Sequence, residues 1–120
     1  MTEHHTVLVV DDVADVRQLV TVVLADEGSA VVEAHDAESA LRFARTLQFD
    51  AVLLDQMMPG PHGTDILPEL RELLPEARIV MFSCDESCQR LALELGADEF
   101  VRKDSPIEQL INHLRPTAVA

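Results

Sequence analysis

A single α/β domain, a doubly wound sheet of five parallel strands with five helices on its two faces, is the fold this sequence predicts. Three observations carry that reading. Short Val-rich runs alternate five times with longer stretches of helical period, a repeated β-α pattern. The runs are nearly continuous in apolar residues, as strands covered on both faces are. Five such β-α units with short connections imply a parallel sheet with right-handed crossovers. At 120 residues the chain amounts to one domain, spanning 1–120, with 115–120 as a tail or the stub of a linker.

The elements follow in order. Val7 to Val10 is the first strand run, and Val16, Leu19, Val20, Val23 and Leu24 then form one apolar stripe that Gly28 ends. Ala30 to Ala34 is the second strand. Asp36 caps a helix whose Ala37, Ala40, Leu41 and Ala44 share a face. Ala51 to Leu54 is the third strand, followed by a helix marked by Ile66, Leu70 and Leu73, with Pro68 expected near its start. Ile79 to Phe82 is the fourth; Cys88, Leu91, Ala92 and Leu95 stripe the next helix as far as Gly96. Phe100 and Val101 form the fifth strand. The last helix reads as Ser105 at the N-cap, Pro106 at the first position, Glu108 completing a capping box, and Ile107, Leu110, Ile111 and Leu114 facing the sheet.

Composition narrows the function. Asp and Glu number 22 against 9 Lys and Arg, and the net charge of −13 repels phosphate backbones and anionic lipid surfaces. Direct nucleic-acid binding and membrane association are therefore disfavoured. No apolar run approaches ~18 residues and the start lacks a basic secretion signal, so the expected location is the cytoplasm. Two Cys make no disulfide framework; Cys84 and Cys88 read as buried or half-buried free thiols. His4 and His5 read as mobile terminus, and His35 and His113 as surface.

In doubly wound sheets, ligands bind beyond the carboxyl ends of the strands. The first run ends in Asp11 and Asp12, the third in Asp55, the fourth in Ser83, the fifth in Arg102 and Lys103. Each alone has an ordinary reading: a turn, a helix cap, a surface charge. Yet Lys103 is the only Lys of the chain and falls at this edge. Three carboxylates held together repel unless a cation joins them. Mg²⁺ suits such a set, since it takes few protein oxygens and keeps positions for water and phosphoryl oxygens. A carboxylate such as Asp55 can then act as nucleophile and form an aspartyl phosphate, with Lys103 and Ser83 stabilising the transferred group.

These residues resemble the receiver domain of two-component response regulators. The resemblance runs from Val7 to Leu114, through Val9-Val10-Asp11-Asp12, Leu53-Leu54-Asp55-Gln56-Met57-Met58-Pro59 with Gly63, Phe82-Ser83, Gly96-Ala97-Asp98 and Phe100-Val101-Arg102-Lys103. It implies the flavodoxin-like strand order 2-1-3-4-5. It implies that Asp55 accepts phosphate from a histidine kinase or phosphotransfer protein, with Asp12, Asp55 and the backbone carbonyl of Met57 on Mg²⁺ and Asp11 acting chiefly through metal-bound water. Ser83 and Phe100 would be the switch pair. The face of helix four, strand five and helix five would then change its partners, a downstream protein, a missing output domain or a second copy of the chain. Such a domain is a switch rather than a turnover enzyme, although it assists its own phosphorylation and dephosphorylation.

Four positions depart from the commonest family pattern. Asp104 follows Lys103 where Pro, with a cis bond, is frequent; His62 replaces an acidic residue or Asn. Met57 and Asp85 occupy lifetime-tuning positions, and because Met cannot orient water a long-lived phosphoryl group is expected. Two other classes are weighed. A haloacid-dehalogenase-like phosphatase would need Asp-x-Asp after the first strand and a cap, whereas the chain has Asp11-Asp12-Val13 and no room for one. A phosphorylation-independent binding module would not need the intact set Asp11, Asp12, Asp55, Ser83 and Lys103.

Overall fold

In the computed structural model, which describes residues 5–116, the five apolar runs form one parallel sheet in the order β2-β1-β3-β4-β5. The strands are β1 Thr6–Val10, β2 Ala30–Ala34, β3 Ala51–Asp55, β4 Arg78–Ser83 and β5 Glu99–Arg102, each within a residue or so of its expected bounds. Continuous hydrophobicity marks the centre: β3 is buried throughout and β1 and β4 all but their first residue, whereas β2 and β5 are partly open edges. Alternate residues feed two cores. Leu8, Val10, Val52, Leu54, Ile79 and Met81 pack beneath α2 (Ala37–Thr46), α3 (Gly63–Leu73) and α4 (Gln89–Glu94). Val7, Val9, Leu53, Val80, Phe82 and Val101 pack beneath α1 (Ala14–Asp26) and α5 (Ile107–Leu114).

Several caps form as the sequence predicts. Gly28 adopts φ +95°, and Ser29 N–H donates to Leu24 O at 3.0 Å to close α1. The Asp36 carboxylate accepts from Ser39 N–H at 2.8 Å at the start of α2. The Ser39 hydroxyl, donating to the same oxygen at 2.6 Å, and then that backbone bond hold the Asp36 carboxyl below its usual range.

Other expectations need correction. Leu19 and Leu91 are 51% and 47% exposed. Each lies about 100° around its helix from the buried Val20 or Ala92, outside the arc that the sheet covers. Ile107 keeps the azimuth of its stripe but, at the first residue of α5, is 39% exposed. That helix starts after Pro106, whose ψ of 140° is extended, and no side chain caps it; Ser105 instead closes a turn onto Arg102 O. Pro68 is the sixth residue of α3 rather than near its start. The helix begins early because Asp65 Oδ2 accepts from His62 N–H at 2.8 Å, and Pro68 forfeits only the N–H that the Thr64 carbonyl would accept. A 3₁₀ turn, Glu86–Cys88, leads into α4. Cys88 is buried as expected, but Cys84 is exposed.

His5 is not loose: its Nε2–H donates to Leu114 O at 2.8 Å. His35 is exposed and His113 half-buried. His4 and the tail from 117 lie outside the described residues. None of the described helices is long and apolar enough to cross a membrane.

Candidate functional site

The order of the strands puts the carboxyl ends of β1, β3, β4 and β5 side by side and leaves β2 outside, so Asp11, Asp12, Asp55, Ser83 and Lys103 share one edge. One carboxylate oxygen from each of Asp11, Asp12 and Asp55 lies within 4.8 Å of the others. Asp11 and Asp55 are fully buried, while Asp12 reaches the surface. Lys103 crosses from the β5 side: its Nζ is 2.8 Å from Asp55 Oδ1 and 3.6 Å from Asp11 Oδ2.

Polar supply at this edge falls short of demand. Asp11 Oδ1 accepts from Val13 N–H at 2.8 Å, and Asp55 Oδ1 takes Lys103 and, at 3.4 Å, Met57 N–H. Asp11 Oδ2 and Asp55 Oδ2 are buried without a hydrogen-bond partner among the described residues. Burial pushes the Asp55 carboxyl up to about 6; the Lys103 bond opposes this and the Asp11 charge adds to it. Burial also works against the charge on Lys103, but its bond to Asp55 and the charges of Asp55 and Asp11 outweigh that and raise its pKa.

Of the remaining expected residues, Ser83, Asp85 and Met57 border this centre, whereas Phe100 lies further back along β5. Ser83 is fully buried; its Oγ accepts from Asp85 N–H at 3.0 Å, and its carbonyl accepts from Lys103 N–H at 3.0 Å. The Asp85 carboxylate turns to Ser87, accepting from its N–H at 2.9 Å and its hydroxyl at 2.6 Å, which depresses its pKa. Met57 is 54% exposed at the mouth. Phe100 is half-buried, pairs in register with Met81, and packs on the α3/α4 side of the sheet. No peptide bond among the described residues is cis, consistent with Asp104 in place of proline.

Two features escape a reading of motifs. The Lys103 ammonium lies 5.4 Å from the centroid of the Phe82 ring, a cation–π contact that steadies it opposite Asp55. The period-2 alternation of β4 and the adjacency of Ser83 are the only sequence signals for it. Arg102 ties the loops on either side, donating to Glu86 at 2.6 Å and to both oxygens of Asp104. Its partners are 16 residues back and two ahead, a pairing that no short motif encodes.

A family model described as the response regulator receiver domain matches residues 7–115, and the chain belongs to that family. It is 36% identical over 92% of its length to a probable transcriptional regulatory protein, TcrX, of Mycobacterium tuberculosis. It is 35% identical over 97% of its length to the nitrate/nitrite response regulator protein NarL of Escherichia coli. These matches cover 48% and 56% of the relatives, so the chain spans about half the length of the curated relatives it matches. Among solved structures, the chemotaxis protein CheY4 of Vibrio cholerae superposes with a TM-score of 0.85 at 28% identity, covering 93% of this chain and 97% of that one. A Burkholderia pseudomallei response regulator described with a phosphorylated aspartic acid and a calcium ion gives 0.85 at 26% identity, covering 92% and 66%. The chain is thus a receiver domain of the two-component class with an acidic cluster of the kind that holds a divalent cation.

Proposed function

We propose that the chain is a signalling switch phosphorylated on Asp55 with Mg²⁺ as cofactor. The observation that carries this is a pair of buried oxygens, Asp11 Oδ2 and Asp55 Oδ2, that accept no hydrogen bond among the described residues while one ammonium serves both carboxylates. Buried acceptors left open cost stability unless a cation joins them. The donor set, hard carboxylate oxygen throughout, fits Mg²⁺ or another hard dication rather than a thiolate-seeking metal. Asp12 and Asp55 would hold it directly, with the Met57 carbonyl, and Asp11 through water. When bound it would neutralise negative charge on carboxylates and phosphoryl oxygens.

The chain's own groups supply the rest. The Asp55 carboxyl is predominantly ionised at neutral pH yet more basic than a solvated one, which favours it as nucleophile. An Asp55 oxygen attacks phosphorus as the P–N bond of the donor's phosphohistidine breaks; the imidazole leaves with the electron pair and takes a proton from solvent. Lys103 faces the incoming charge, and Ser83, whose Oγ lone pair is engaged by Asp85, keeps its own hydrogen for a phosphoryl oxygen. Ser83 and Phe100 lie on one face of adjacent strands, so movement of Ser83 toward the phosphoryl group frees space for the ring. Met57 and Asp85 would govern water entry and hence lifetime.

The phosphodonor would be a histidine kinase or phosphotransfer protein. Output would pass from the α4-β5-α5 face to a protein partner, a second copy, or a further domain of the sort that the regulatory relatives' names suggest. Leu91, Leu93 and Ile107 are exposed there. Residues 1–120 act as one receiver in the cytoplasm, a switch rather than a turnover enzyme, without direct contact with nucleic acid or membrane. The test is intact mass after treatment with a small acyl phosphate and Mg²⁺. One phosphoryl adduct is expected on the natural chain, decaying slowly, and none on Asp55→Asn. Equal labelling of both would move the acceptor elsewhere.

A further inference from the structure

Gln56 follows Asp55, is 8% exposed, and belongs to none of the roles above. Its backbone carbonyl accepts from Gly63 N–H at 3.0 Å and its own N–H donates to Phe82 O at 3.3 Å. Its side chain makes a reciprocal pair with one residue: Oε1 accepts from Thr64 N–H at 2.8 Å, and Nε2 donates to Thr64 Oγ1 at 3.0 Å. The backbone N–H can only donate, so the orientation of the amide is fixed. Thr64 N–H is one of the first-turn donors that α3 cannot satisfy internally, and Gln56 satisfies it from across the loop. Three hydrogen bonds therefore join residue 56 to residues 63 and 64, and the six residues 57–62 are tied at both ends. The approach is close. A Cβ at Gly63 would stand 2.5 Å from Asp55 O, so the first turn of α3 rests on the backbone of Asp55 itself.

We propose that Gln56 is a positioning residue for the divalent cation: its amide clamps the loop so that Met57 presents its backbone to the metal. This rests on the reading of Met57 as a ligand. No other side-chain type of this size serves as well. Glu lacks the donor for Thr64 Oγ1, and Leu leaves the Thr64 N–H without a partner. Outer-shell groups that orient a metal's ligands typically cost 10–100-fold in affinity when removed. Gln56 acts on one ligand of several, which places it near the low end.

The test is Mg²⁺ titration by calorimetry, with amide hydrogen exchange on the metal-free protein, for Gln56→Leu, Thr64→Val and Thr64→Ser. Gln56→Leu is expected to bind Mg²⁺ about tenfold more weakly. Its amides at Met57, Met58, Gly63 and Thr64 should exchange faster, while the maximal phosphorylation rate at saturating Mg²⁺ stays within about threefold. Thr64→Val, which keeps the N–H and loses the hydroxyl, should fall between, and Thr64→Ser should match the parent. Should Gln56→Leu fail to fold by circular dichroism, Thr64→Val decides. An Mg²⁺ affinity within twofold of the parent in both variants overturns the clamp alone. Absence of Mg²⁺ binding by the unaltered chain overturns the reading of the whole site, and the clamp with it.

Discussion

The two edges of the sheet use the same ions in opposite ways. At the amino ends of the strands, Arg71 donates to the carbonyls of Gly96, Ala77, Leu74 and Pro75 and to Asp98 at 2.6 Å, and Asp98 in turn accepts from Ile79 N–H at 2.8 Å. Every nitrogen of that guanidinium has a partner. At the carboxyl ends, Lys103 faces two buried carboxylates, each with one oxygen that accepts no hydrogen bond among the described residues. The first edge is an internally complete joint between α3, β4 and β5. The second is a deficit that burial makes costly and that a bound cation would relieve. Stability and function are thus segregated to opposite ends of the same strands.

The largest effect should come from the complete edge. Arg71→Met keeps the aliphatic stem but strands several half-buried carbonyls and Asp98, and should cost about 3 kcal/mol. Urea unfolding followed by far-UV circular dichroism measures it, the chain having neither Trp nor Tyr. Mg²⁺ affinity should stay within twofold. A loss below about 1 kcal/mol would mean the bonds there are ornamental and would dissolve the contrast.

At the deficient edge a substitution should stabilise. The Asp55 carboxyl rises from 3.8 to about 6 on folding, chiefly through burial. Folding therefore favours its protonated form, so this group's contribution is complete below pH 4 and is lost as pH climbs through 6. In metal-free protein Asp55→Asn should gain roughly 2–3 kcal/mol at pH 7.5 and almost nothing below pH 4. Thermal or urea unfolding across that range checks the sign. A destabilised variant at pH 7.5 would show that Lys103 already balances the site.

The same division explains what could be read from the sequence. Periodicity located all five strands because the central ones are apolar on both faces, and it put Asp11, Asp55, Ser83 and Lys103 at strand ends; the strand order that brings those ends together came from the resemblance to the family. It overreached at Leu19, Leu91 and Ile107, since a stripe records apolar character and not how wide an arc the sheet covers. The local cap at Asp36 was legible, whereas the capping box read at Ser105 and Glu108 did not form, and bonds delivered from afar left no local trace. Gln56 reaches eight residues to Thr64 and Arg71 twenty-five to Gly96, and neither spacing belongs to a local motif.

His5 is the sharpest instance, and the smallest expected effect. It reads as a frayed terminus, yet its imidazole donates to Leu114 O across 109 residues at 2.8 Å and pins the last turn of α5 beside β1. His5→Phe keeps an aromatic ring but removes that bond and the 3.9 Å approach of Nδ1 to Asp50 Oδ2, which together should cost about 1 kcal/mol. Amide exchange at Leu114 and Arg115 should quicken, because the α5 terminus loses its tie to the sheet. Mg²⁺ affinity and the phosphorylation rate should not move, since the bond lies at the edge remote from Asp55. A changed metal affinity in His5→Phe would show that α5 transmits strain from one edge to the other. In that event the amino edge belongs to the switch itself, and the separation of stability from function fails.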